Sequence, residues 1–321
     1  MISEYEKQYM NALREIYNNG FEDGNNERTN MKTKRLPGIV FRIDVEKEFP
    51  ILKSKFVAAK TAQREIEWIW KKQSNNINDL KAHIWDSWAD ENGSINKAYG
   101  YQMAKPIKIN VLLDKNSKDG IRKYKNQAEF IIKYLKEFPN GRWGVISIWN
   151  RNDLSEMNLV PCCHTSTWNL DGGRLNCVLD QRSGDMPYGV PFNTTQYAEL
   201  MIMLAKELKV KPGILTHVIA DAHIYSNQMD GVKLQLSYFD ILYAMENKSE
   251  NVYHYISVAT KLTNCKYDFE TLLKVAKEVI ASKPYFLINA GNKTFFNYDA
   301  DSCKVENYSW MDKIDFGDVA V

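Results

Sequence analysis

The stretch VPCCH (160–164) places two cysteines directly after a proline. A thiolate is a strong nucleophile, and a neighbouring cation favours it over the thiol. Arg182 would supply that cation if the segment RLNCVLDQR (174–182) pairs beside the cysteine turn. Without such a partner, each cysteine is a small buried hydrophobe. The residues alone leave open both that alternative and the choice between Cys162 and Cys163.

Four further stretches hold chemically useful side chains. In QRSGDMPYGVPFN (181–193), Arg182 and Ser183 could grip a phosphate or carboxylate with charge-assisted hydrogen bonds. Asn193 offers a donor and an acceptor, as a pyrimidine edge requires. In DAHIYSN (221–227), His223 and Tyr225 are two apart, so an extended chain points both the same way. Both could hydrogen-bond a sugar hydroxyl. In REIEWIW (64–70), Glu65 lies among apolar residues, where a carboxyl has a raised pKa and can handle protons. In HIWDSWADENGSINKAYG (83–100), Trp85 and Trp88 could form a flat wall for a heteroaromatic ring, and Tyr99 carries a phenol that could accept a proton. Each stretch also has a plain structural reading: a surface ion pair, a satisfied core histidine, a solvated helix face or two core tryptophans.

Several elements must position these groups. Tyr5, Tyr9, Leu13 and Ile16 recur at helical spacing, which predicts a helix over 3–18 that Gly20 ends. The polar, basic run 25–38 reads as a mobile loop closed by Pro37 and Gly38. Strands are predicted at 40–45, 143–149 and 174–182, and at 213–225 as a strand running into a loop. Helices are predicted at 57–72 and near 125–137, with a further apolar stripe at 194–210. The cysteine pair is expected on a turn. Strands and helices mix without strict alternation, which argues an α+β class, and no linker divides residues 1–321.

Composition narrows the classes. Lys+Arg 42 against Asp+Glu 40 gives a net charge of +2, with no basic stripe for nucleic acid and no charge bias toward a membrane surface. No apolar run reaches membrane-spanning length. The five cysteines form no CxxC pair, so neither a zinc site nor a disulfide framework is favoured, and reduced thiols in a cytoplasm are expected.

In this order, IWDSWADENGS, IWNRNDLSEMNLVPC, QRSGDMPYGVPFN and DAHIYSN resemble the thymidylate synthase family. YEKQY, NNG, EWIW and SNNINDL resemble its Bacillus and phage branch. The run from Trp149 to Asn193 follows the family pattern without a gap, and this resemblance assigns the nucleophile to Cys162. It implies an α+β fold with one large mixed sheet, packed back to back with its copy in a homodimer. It also implies one-carbon transfer from 5,10-methylenetetrahydrofolate to C5 of a pyrimidine nucleoside monophosphate, with Cys162 adding to C6. Glu65 and Tyr99 would manage protons, and Asn193 would read the base. Arg28, Arg182 and Ser183 would bind the phosphate, with Arg142 reaching over from the partner subunit. His223 and Tyr225 would hold the ribose. Trp85, Asp185 and Val321 would contact or enclose the folate.

Three departures stand out. Trp143 occupies the second position of a usual arginine pair, Thr167 replaces a glutamine, and both are expected in the nucleotide pocket. REIEW resembles a phage deoxycytidylate hydroxymethylase motif. The leading expectation is reductive methylation of dUMP to dTMP, which Asn193 favours. The rival is a hydroxymethylase acting on dUMP, dCMP or CMP, and a non-catalytic nucleotide-binding homologue is the remote alternative.

Overall fold

The computed structural model describes residues 1–24, 29–111, 120–263 and 266–319. Helix α1 (Glu4–Asn19) starts where the Ser3 side chain accepts the Glu6 N–H, and it buries Tyr5, Tyr9, Leu13 and Ile16 as their spacing predicts. Strands β1 (Phe21–Asp23) and β2 (Thr33–Asp44) follow. The loop expected over 25–38 is therefore corrected: Thr33 to Gly38 is strand, while 25–28 lie outside the described residues. A long partner strand pairs with β2 from Thr33 to Asp44, and that pairing overrides the breakers Pro37 and Gly38.

The single helix expected over 57–72 is two elements. Helix α2 (Ala59–Glu67) runs into a wider π-helical turn, Trp68–Lys72. Trp68, Ile69 and Trp70 are consecutive and all buried, which ordinary helical spacing does not allow on one face. Widening the turn turns all three inward. Next come helix α3 (Gly100–Met103) and the hairpin β3 (Ile107–Asn110) and β4 (Ile121–Tyr124). Helix α4 (Gln127–Glu137) is capped by Asn126, whose side chain accepts the Glu129 N–H at 2.8 Å. Strand β5 (Val145–Ser147) is shorter than the 143–149 predicted.

The cysteine turn opens directly into β6 (Cys163–Asp171), which pairs antiparallel with β7 (Arg174–Gln181). After β8 (Gly184–Asp185) comes the 20-residue helix α5 (Gly189–Leu208), then β9 (Lys211–Tyr225). Strand β9 continues through Tyr225, with no loop within 213–225. Beyond it, where no element is predicted, stand α6 (Met229–Glu246), α7 (Val252–Leu262), α8 (Phe269–Ala281) and the hairpin β10 (Tyr285–Ile288) and β11 (Cys303–Glu306).

The main sheet has the order β1-β2-β9-β7-β6-β5, with β8 also on β9. β9 runs antiparallel to β2 but parallel to β7 and β8. The α+β expectation is met, as helices and a mixed sheet. One sheet face is core: Phe41, Ile43, Leu175, Leu179, Leu215 and Ile219 are buried there, each contributing about 1.5–3 kcal/mol. The opposite face carries Val40, Thr167, Val178, Thr216 and Val218, none of them buried.

Helix α5 holds one costly group. Glu199 is fully buried, and neither carboxyl oxygen has a hydrogen-bond partner among the described residues. Burial pushes this carboxyl well above the usual range, opposed weakly by Lys60. The folded state thus holds a proton that the unfolded chain releases, and folding stability falls as pH rises from the ordinary carboxylate range toward the raised value. Glu199→Leu is expected to stabilise the protein, by an amount that grows at up to about 1.4 kcal/mol per pH unit in that window. Melting curves of both proteins at about pH 5 and about pH 8 check this, and a larger gain at the acid end would contradict it.

Candidate active site

A cavity of about 530 Å³ opens where β6, β7, β8 and β9 end against α2, α5 and the tryptophan segment 83–100. Its size suits a nucleotide or a heteroaromatic ligand. Cys162 lines it half-buried, one residue before β6. The β6–β7 pairing does what the alternation of 174–182 implied: it brings Arg182 beside the cysteine. The Arg182 backbone N–H donates to Cys162 O at 2.9 Å. Its Nε donates to Pro161 O at 3.0 Å and its Nη2 to Val160 O at 2.8 Å. The same Nη2 lies 3.8 Å from Cys162 Sγ. A thiolate there would face a guanidinium whose orientation the loop itself fixes.

Cys163 is a different group. It is buried, burial pushes its thiol well up, and its Sγ donates to Gln181 Oε1 at 3.4 Å. Gln181 also accepts from His217 Nε2 at 2.7 Å and donates to Ser183 O at 2.8 Å. Burial lowers His217 to about 3, so its ring is a neutral strut behind the sheet.

Tyr99 accepts the Cys162 N–H on its hydroxyl at 3.1 Å. Burial, and then the Cys162 charge, raise its phenol well above the usual value. Its backbone is strained, with φ at +32° and ψ at −93°. The tight packing behind it explains how this is held, since a Cβ on Gly100 would lie 2.0 Å from Ser74 O.

Glu65 projects from α2, buried, with burial raising its carboxyl. Trp85 Nε1 donates to one oxygen and Gln196 Nε2 to the other, each at 2.5 Å. Both donors are neutral, so they orient the carboxyl without supplying a counter-charge. Sequence reasoning missed Gln196, because on α5 it falls beside the core stripe. Trp85 and Trp88 meet at 64° with centroids 5.5 Å apart, so the expected flat wall is a corner. Tyr99 closes it edge-on to Trp85 at 4.9 Å.

His223 and Tyr225 share one face of β9 as predicted, with rings 4.9 Å apart, and both line the cavity with Ser183 and Asn193. Asp185 is half-buried, desolvation raises its carboxyl, and it accepts from Gln228 Nε2 at 2.9 Å and Tyr188 N at 3.1 Å. The C-terminal segment reaches the cavity mouth. Tyr188 OH donates to Gly317 O at 2.8 Å, Asn227 Nδ2 to Asp318 O at 3.0 Å, and Val319 lines the wall. Arg28 and Val321 lie outside the described residues. Arg142 is exposed and does not line this cavity. Trp143 and Thr167 do not line it either. Trp143 stacks on Tyr134 at 6.5 Å, and Thr167 sits on the open sheet face against Val145.

A half-buried thiol against a guanidinium, beside a buried acid, a phenol and an aromatic corner, defines an enzyme site built for covalent chemistry on a planar ligand. The thymidylate synthase family model matches residues 7–240. The chain is 43% identical over 239 residues to a thymidylate synthase of Clostridium beijerinckii, covering 74% of this chain and 83% of that one. It is 32% identical to thymidylate synthase 1 of Bacillus subtilis, with 100% of both chains covered. The structure of thermostable thymidylate synthase A from Bacillus subtilis superposes with a TM-score of 0.75 at 30% identity, over 99% of each chain. The chain belongs to the thymidylate synthase family, whose members are one-carbon transferases.

Gln196→Leu removes one of the two donors to Glu65 and replaces it with an apolar side chain of similar size at a position that lines the cavity. The Glu65 carboxyl is then expected to rise further, by about one pH unit. The Glu65-controlled limb of the pH–rate profile should move to higher pH by that amount. An unmoved limb, or one moved downward, would contradict the role given to Gln196.

Proposed function

We propose that this cavity converts dUMP to dTMP with 5,10-methylenetetrahydrofolate, through an adduct on Cys162. The observation that carries the reading is the Arg182 clamp on the cysteine loop, which leaves Sγ exposed to the cavity beside a fixed cation. Cys162 Sγ adds to C6 of the pyrimidine, which makes C5 nucleophilic. Asn193 holds the O4 and N3 edge of uracil. Ser183 and the free face of Arg182 take the phosphate, with Arg28, and His223 and Tyr225 take the ribose hydroxyl.

The folate fits the residues present. The Trp85–Trp88 corner accepts a flat ring edge and face, and each oxygen of the half-buried Asp185 carboxyl accepts a single donor from the protein. When bound, the folate supplies both the one-carbon unit and the hydride, and leaves as dihydrofolate. Glu65, held by Trp85 and Gln196 with burial raising its carboxyl, relays protons within the site. Burial keeps Tyr99 a phenol, so it assists removal of the C5 proton through an ordered water rather than as a free phenolate. Val319 leads into the end of the chain, where Val321 would help exclude water. The relatives above are named thymidylate synthases, which disfavours a hydroxymethyl product.

The unit that does this is one catalytic domain over 1–321, acting as a homodimer. The open sheet face, with Val40, Val178, Thr216 and Val218, offers a β-branched surface for a second copy. Arg142 is turned away from its own cavity and would serve the partner's phosphate. Free thiols at Cys162, Cys163, Cys177 and Cys303 support a reducing, cytoplasmic setting. No helix among the described residues is long and apolar enough to cross a membrane.

Incubation with dUMP and methylenetetrahydrofolate should give dTMP and dihydrofolate in equal amounts. A hydroxymethyl nucleotide with tetrahydrofolate would overturn the reading. Cys162→Ala and Arg142→Ala homodimers should each lose activity, and mixing the two should restore part of it. No recovery would place Arg142 in its own subunit's service.

A further inference from the structure

Arg35 and Arg182 are the two arginines, and no lysine joins them, among the described residues lining the cavity. Arg182 already gives Nε and one Nη2 contact to backbone carbonyls, so much of its fork is committed to the cysteine loop. A phosphate dianion draws on several cations. Strand register adds one to Arg182, Arg28 and the partner's Arg142 proposed above. Arg35 on β2 stands directly across from His223 on β9, so the two side chains share a face. On the other side of β9, Gly184 pairs with Ala222, which sets Ser183 beside Asp221. Arg35 Nη1 lies 3.7 Å from that Asp221 and Nη2 3.0 Å from Asp23. Both carboxylates and His223 also line the cavity.

We infer that Arg35 makes a direct ion pair with the 5′-phosphate of the bound nucleotide. The inference rests on the nucleotide reading given above. The guanidinium is half-exposed and held between two carboxylates that also line the cavity. It also screens those carboxylates. Without Arg35, Asp23 and Asp221 would face the dianion unneutralised, so removing it both deletes an attraction and uncovers a repulsion.

Calorimetric binding of dUMP and of 2′-deoxyuridine, which lacks the phosphate, tests this. Arg35→Met should weaken dUMP by about tenfold or more while deoxyuridine changes by less than about twofold. Arg35→Lys should recover part of the loss. Arg35→Gln, closer in length and polarity, gives the same reading should the methionine variant fold poorly. Unchanged dUMP affinity, or equal losses for dUMP and deoxyuridine, would overturn the role of Arg35 alone. A wild-type protein that binds neither compound would remove the nucleotide reading and this inference with it.

Discussion

The site depends on one residue's grip on a loop. Arg182 holds Val160, Pro161 and Cys162 through three backbone carbonyls and stands 3.8 Å from the Cys162 sulfur. A cysteine on a free turn would sample many directions, and its thiolate would be solvated at random. Here the cation that would stabilise a thiolate also fixes the backbone that carries it. Position and reactivity therefore come from the same side chain. A lysine could not do this, because it lacks the planar fork that reaches two carbonyls and a sulfur together.

That grip exists only because the sheet has the register it has. Cys163 faces Gln181 across β6 and β7, which leaves Arg182 and Cys162 as the next residues on each strand. Strand β9 then serves as the common edge for β7, β8 and β2. It delivers His223 and Tyr225 from its own end, Asp185 from β8 with Ser183 just before it, and Arg35 from β2. A one-residue slip of β9 would turn both its site residues away from the cavity, onto the opposite sheet face. The buried Gln181–His217 link, at 2.7 Å, ties this register from the core side. The acid side is built separately, on α2 and α5, where Trp85 and Gln196 hold the two oxygens of Glu65.

Much of this was readable in the sequence, for physical reasons that can be named. The two-residue spacing of His223 and Tyr225 put them on one face, and the strand pattern of 174–182 made Arg182 a partner for the cysteine on condition of a pairing that the structure supplies. The stripe of α1 was equally plain, whereas the cap at Asn126 emerged only with the structure. What escaped depended on partners far away in the chain. Arg35 sits in a run with Pro37 and Gly38 that reads as loop, and only β9 makes it strand. Gln196 looks like a core-helix residue until α2 brings Glu65 to it. The π-helical turn reflects three bulky side chains competing for one core, which no local propensity reports. The corner angle of Trp85 and Trp88 is likewise a packing outcome.

The central claim is that Cys162, and not its buried neighbour, bonds to the pyrimidine. A dUMP analogue with fluorine at C5 tests it most directly, because the base has no C5 proton to remove and the adduct should be trapped once the one-carbon unit is attached. Peptide mapping by mass spectrometry after incubation with this analogue and methylenetetrahydrofolate should find the added mass on Cys162. It should persist in Cys163→Ala and vanish in Cys162→Ala. Added mass on Cys163, or an enzyme that turns over dUMP yet carries no adduct, would contradict the assignment.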